Sequence, residues 1–169
     1  MNYRRALRVM CCSFMMGHSL SVMAQGNQAA RQALLPPELK WRGKSEALMV
    51  APNDPWLTPV ERSHFERTPR YEETIAWLKK LAEAAPELKM IALGKSSEGR
   101  DLWMVVASQE HAFTPEALRA TGKPTLFAQA GIHAGEIDGK DAGMMFLRDL
   151  TVRNKRRELL TQANFLFVP

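Results

Sequence analysis

The sequence predicts an α/β domain, a mixed β-sheet flanked by helices. Three observations carry that prediction. Two short β-rich runs, "KMIALG" at 89–94 and "DLWMVVAS" at 101–108, are joined by a glycine-containing turn, which is the pattern of an antiparallel hairpin. The order strand, helix, strand between 124 and 168 is that of a parallel crossover. A helical apolar period precedes both, over 68–86.

Taken in order, "TPRYEETIAWLKKLAEAAPE" opens with Thr68 as an N-cap and Pro69 at the first helical position. Glu72 and Glu73 suit the positive end of the helix, and Tyr71, Ile75, Leu78 and Ala82 share one face. Pro86 stops it. The hairpin follows, turning through "KSSEGR" with Gly99 at the bend. "TPEALRATG" is a short capped helix ending at Gly122, and "PTLFAQAG" a compact apolar strand. "GKDAGMMFLRDLTV" is apolar almost all round at 142–147, as befits a helix buried against a sheet. "RNKRRELL" is expected to be a solvated charge run at its end, and "ANFLFVP" the final strand. Asp138 and Asp141 are expected to cap the second helix, and Asp149 and Glu158 to be solvated.

Residues 25 to about 65 have no sustained periodicity and carry Pro36, Pro37, Pro52, Pro55 and Pro59. Prolines at this density remove backbone donors and break regular elements. The expectation is an extended lead-in that wraps onto the domain, with a short strand at "ALMVA"; Trp41, Trp56 and Leu57 favour packing over a disordered linker.

The first 24 residues have the organisation of an export signal. "MNYRRALR" is basic, "VMCCSFMMGHSLSVM" is a moderately apolar run of 15 residues, and "VMA" places small residues before Gln25. The run is short for a membrane span, which needs roughly 20 apolar residues, so no stable membrane anchor is expected. Cys11 and Cys12 both fall in this segment, so the mature chain lacks disulfides, a thiolate metal site and a cysteine nucleophile. An exported chain without disulfides suggests a periplasmic or secreted bacterial location. The whole chain has 23 Lys and Arg against 18 Asp and Glu. Setting aside Arg4, Arg5 and Arg8 leaves 20 against 18, a net of +2, with no basic stripe interleaved with aromatics. Nucleic acid is therefore not an expected partner.

The chemistry centres on "AGIHAGEIDG", residues 130–139, at the carboxyl end of a strand, where open α/β sheets bind ligands. A turn brings residues i and i+3 to one side, so His133 and Glu136 can share a site. An imidazole and a carboxylate so placed can hold two positions of a zinc ion. Gly131 and Gly139 allow unusual dihedrals on either side. Spacing alone leaves two readings open, a polar turn and half a metal site. His64 and His111 are expected to be ordinary surface or loop histidines, and His18 to leave with the signal.

"TPRYEETIAWLKKLA", "IALGKSSEGRDLWMVVAS", "KPTLFAQAGIHAGEIDGKDAG" and "ANFLFVP", in that order, resemble the start of a zinc carboxypeptidase domain of the carboxypeptidase A/B type, over about residues 66–169. The resemblance implies a mixed sheet with helices on both faces. It makes His133 and Glu136 two of three Zn²⁺ ligands, Glu136 being a ligand and not the general base, and gives the "SSEGR" turn with Arg100 a structural role. It implies metal-assisted hydrolysis of peptides from the C-terminus, with peptide or protein C-termini as substrates. The family's third ligand, its carboxylate-gripping Asn and Arg, its substrate-covering Tyr and its catalytic Glu have no counterpart up to Pro169. The expectation is therefore the N-terminal part of a truncated catalytic domain, inactive by itself, with no catalytic residue assigned and the substrate-binding residues unknown. Two alternatives stand beside it: a zinc amidase or deacylase of similar fold acting on N-acylated amino acids, and an inactive exported binding module.

Overall fold

The computed structural model describes residues 43–133 and 135–169. The export signal and the first part of the lead-in, including Trp41, lie outside the described residues.

The hairpin forms as the sequence predicts. Strand β1 (Leu88–Lys95) pairs antiparallel with β2 (Asp101–Ala107). Their turn is closed by Ser96 N–H donating to Arg100 O at 2.8 Å and Gly99 N–H to Ser96 O at 2.9 Å. Gly99 supplies the φ of +78° the bend needs. β3 (Thr125–Gln129) and β4 (Asn164–Val168) pair in parallel, and β4 pairs antiparallel with β2. The result is a mixed four-stranded sheet in the order β1-β2-β4-β3.

Two helices cover one face of this sheet. We label the single turn Pro59–Arg62 α1, the long helix Tyr71–Ala84 α2, Pro115–Ala120 α3, Asp138–Leu150 α4 and Glu158–Gln162 α5. Ile75, Leu78 and Leu81 of α2 and Met144 and Leu147 of α4 pack with Val105, Ala107, Phe165 and Phe167 of the sheet. The alternate residue Val106 points the other way, to Ala112 and Leu118 of the α3 segment. α2 starts two residues later than its sequence signals suggest: Arg70 takes the N-cap position, and Glu73 accepts its backbone N–H at 3.1 Å. Gly143 sets the α4–sheet distance, since a Cβ there would meet the Phe167 ring at 2.2 Å.

The residues ahead of α2 are bound to this body. Leu57 and Val60 are buried, and Trp77 Nε1–H donates to Leu57 O at 3.2 Å. Lys80 Nζ lies over the Trp56 ring at 4.8 Å and donates to Pro55 O at 2.6 Å. At their centre is a fully buried ion pair, Arg148 of α4 with Glu61 of α1, at 2.6 Å. The Glu61 carboxylate also accepts from Val50 N–H at 3.3 Å, Thr58 N–H at 2.9 Å and Thr58 Oγ1–H at 2.7 Å. Arg148 also reaches Asp149 Oδ1 at 3.1 Å, Leu48 O at 3.3 Å and Trp56 O at 3.4 Å.

Several expectations are corrected. "ALMVA" is not a strand: Lys44–Leu48 form a 3₁₀ turn, and Val50 gives its N–H to Glu61 instead of to a neighbouring strand. Neither Asp138 nor Asp141 caps α4: Ile137 holds the N-cap position with no side-chain bond there, and Asp141 is buried and paired with Lys140 at 2.7 Å. Asp149 is not solvated, because Arg148 holds it. The charge run after α4 is only partly solvated: Arg153 pairs with Asp54 and Arg157 with Glu87, while Lys155 and Arg156 stay exposed. β3 is an edge strand, so Leu126 and Phe127 are 60% and 55% exposed despite their apolar character.

Replacing Arg148 with Met is expected to cost about 3–5 kcal/mol in urea denaturation, because it leaves a buried carboxylate without its counter-charge. A loss below about 1 kcal/mol, the range of an exposed pair, would show that the pair is not sealed from water. A second test is by pH. Arg67 donates to Glu73 at 2.9 and 3.1 Å. Chiefly through these bonds, with help from the Arg70 N–H, the Glu73 carboxyl is held down at about 2 against an ordinary 4.5. A depressed carboxylate stabilises the fold fully above its unfolded value, and that contribution is lost as pH falls from about 4.5 towards 2. Carboxyl NMR is expected to show Glu73 titrating near 2 in the natural chain and climbing towards the ordinary range in Arg67→Ala.

Candidate metal half-site at the end of strand β3

β3 hands over to the site through one last ladder bond, Ala130 N–H to Val168 O at 2.9 Å. The chain then leaves the sheet at Gly131, whose φ of +62° is left-handed and open to glycine at no steric cost. Gly135, at φ +93°, supplies the second reversal before α4 begins at Asp138. Across Gly135, Glu136 N–H donates to His133 O at 3.2 Å and closes a turn. That turn brings the two side chains together, with His133 Nδ1 2.8 Å from Glu136 Oε2. A carboxylate oxygen only accepts, so Nδ1–H is the donor. The pair stands in solvent, with side chains 75% and 66% exposed.

The pair sits beside a hollow of about 320 Å³ at the carboxyl ends of β3 and β4. It is lined by His133, Gly131 and Gly135 and by the side chains of Tyr71, Leu102 and Trp103. Tyr71 is fixed by donating its hydroxyl to Asp101 O at 2.8 Å. Lys140, on the first turn of α4, also lines the hollow, but its ammonium is turned away to Thr68 Oγ1 at 2.8 Å and Pro69 O at 3.1 Å.

One imidazole nitrogen and one carboxylate are donors that zinc takes. Two ligand atoms on one tetrahedral zinc stand about 3.4 Å apart. The present 2.8 Å contact is a hydrogen bond that a cation would replace by a small opening of two exposed side chains. The donor types and their separation therefore fit one edge of a zinc coordination sphere. Among the described residues no third His, Cys, Asp or Glu joins them to make a set of three. His64 and His111 are exposed in left-handed turns, at φ 53° and 55°, and His111 stacks on Phe113. Sequence reasoning reached His133 and Glu136 but missed Lys140, two of whose partners, Pro69 and Thr68, lie 71 and 72 positions away and leave no periodic trace.

Residues 74–169 match the sequence profile of the zinc carboxypeptidase family. No curated protein sequence matches the chain at a significant level. Among solved structures, carboxypeptidase A from Helicoverpa armigera is similar at 22% identity with a TM-score of 0.53, over 61% of this chain and 24% of that one. A metallo-carboxypeptidase from Burkholderia cenocepacia matches at 21% identity with a TM-score of 0.47, over 60% of this chain and 26% of that one. The chain thus spans about a quarter of the length of these carboxypeptidases. The matched profile covers more than half of the 169 residues, and the mixed sheet with its flanking helices is shared with the Helicoverpa armigera enzyme: the chain belongs to the zinc carboxypeptidase family.

Proposed function

We propose that His133 and Glu136 are the first two zinc ligands of a metallocarboxypeptidase, an enzyme that removes residues from peptide C-termini. The observation that carries this is the 2.8 Å convergence of the two side chains just past β3, inside the segment that matches the family. The chemistry that zinc supplies when bound is Lewis-acid polarisation of a carbonyl and a lowered pKa for a water molecule. The chain's own residues hold and orient. His133 offers an imidazole nitrogen, Glu136 a carboxylate oxygen, and Gly135 between them takes the φ of +93° that L side chains rarely adopt. Tyr71, Leu102 and Trp103 line the same hollow as His133 and give it apolar surface. The third ligand, the base and the groups that would grip a substrate carboxylate are not assigned among these residues.

The first 24 residues are proposed to direct export, with cleavage after Ala24. Among the described residues no helix is long and apolar enough to cross a membrane. Mass spectrometry of exported material is expected to find Gln25 at the N-terminus. An intact Met1 on a membrane-bound product would overturn the proposal.

For the metal, zinc titrated into the 169-residue chain is expected to bind weakly, since two protein donors leave the ion largely to water. His133→Ala and Glu136→Gln should each weaken it by at least about tenfold. Nanomolar binding that survives both substitutions would place the site elsewhere. The same chain is expected to leave peptides uncleaved, because absence of a base alone costs on the order of 10²–10⁴ in rate. Chelator-sensitive turnover that requires a free peptide C-terminus would show that the catalytic groups lie among these residues after all.

A further inference from the structure

We infer that Lys140 is a positioning residue for the His133–Glu136 pair, acting as an ammonium clamp that fixes the first turn of α4; this rests on the zinc reading of that pair. Glu136 lies two residues before α4 and Lys140 is the helix's third residue, so whatever fixes that turn fixes the carboxylate. The turn has no cap of its own: Ile137 occupies the N-cap position and makes no side-chain bond there. An uncapped first turn leaves backbone N–H groups without intrahelical partners and frays readily. Lys140 supplies the missing anchor. Its Nζ donates to Thr68 Oγ1 at 2.8 Å, Pro69 O at 3.1 Å and Asp141 Oδ1 at 2.7 Å.

Three acceptors use all three ammonium protons. The side chain is 15% exposed, so these bonds are largely shielded from competing water. The anchor point is itself rigid: Pro69 is buried, and Arg67, next to Thr68, is held by Glu73 on α2 and by Ser63. A lysine four residues after a glutamate would ordinarily be placed to pair with it. Here the charge is committed elsewhere, which keeps Glu136 available to a cation.

The test measures zinc affinity by competition with a chromophoric chelator in the full 169-residue chain and in Lys140→Met, Lys140→Arg, Thr68→Ala and His133→Ala. Removing a direct hydrogen-bond partner of a metal ligand typically costs 10–100-fold in affinity; Lys140 acts one step further out, so a loss at the low end, about tenfold, is expected for Lys140→Met. Lys140→Arg, which keeps the charge and several donors, should recover most of it. Amide exchange at Glu136 should quicken in Lys140→Met while the exchange of β2 and β4 stays as it was. Unchanged zinc affinity in Lys140→Met, with binding abolished in His133→Ala, would overturn the clamp and leave the zinc reading standing. Binding unaffected by His133→Ala would overturn the zinc reading itself. If Lys140→Met does not fold, Thr68→Ala, which deletes one acceptor, carries the test: a weakened affinity supports the clamp, and an unchanged one overturns it.

Discussion

The buried ion pair between Arg148 and Glu61 is the constraint on which the rest of the structure depends. Both side chains are fully enclosed. Withdrawing two ions from water costs several kcal/mol each, and mutual attraction offsets that only when the remaining lone pairs and protons also find partners. Here they do. The carboxylate collects donors from Val50 and Thr58, and the guanidinium spreads its own over Asp149 and the carbonyls of Leu48 and Trp56. A set of bonds so directional has few alternative arrangements. It fixes how residues 48–61 lie along α4, a segment whose prolines deny it any regular ladder of its own.

α4 is consequently held at three levels. Arg148 fixes its C-terminal part. In the middle Gly143 lets the helix close onto Phe167, where even a methyl group would meet the ring at 2.2 Å and force the helix and strand apart. Near the start Lys140 binds Thr68 and Pro69, eight residues or about 12 Å of helix from Arg148. The loop from Gly131 to Ile137 must span from the end of β3 to a helix whose placement is already decided. The position of His133 and Glu136 is therefore inherited from packing that involves neither of them.

What could be read from the sequence follows the same division. The hairpin, α2 and the β3–α4–β4 crossover announced themselves because period, proline and glycine signals are local, and each element obeys its own. That the lead-in packs was legible from Trp56 and Leu57, but how it packs was not, because its order comes from pairs such as Glu61 with Arg148, 87 positions apart. In one dimension those residues look like any solvated charges, as did Asp149, Arg153 and Arg157 in the run after α4. "ALMVA" has strand composition, but a strand needs a partner, and Val50's donor was already committed to Glu61. The meeting of His133 and Glu136 was legible because a turn joins i to i+3. Lys140 was not, because nothing near it in the chain names Thr68 and Pro69 as its acceptors.

Two glutamates show how one side-chain type is assigned opposite work. Glu61 is enclosed, and its oxygens already accept four hydrogen bonds, from Arg148, from Val50 N–H and from both donors of Thr58. Any cation entering there would have to displace a guanidinium and strip backbone donors, so this carboxylate can only hold the fold. Glu136 stands two-thirds exposed, with one oxygen engaged by His133 in a bond that two exposed side chains can open at small cost. Its charge is not neutralised by the lysine one helical turn later, because that ammonium is spent on Thr68, Pro69 and Asp141. Glu61 is thus closed in by four donors, whereas Glu136 has a single exposed side chain, His133, against one of its oxygens.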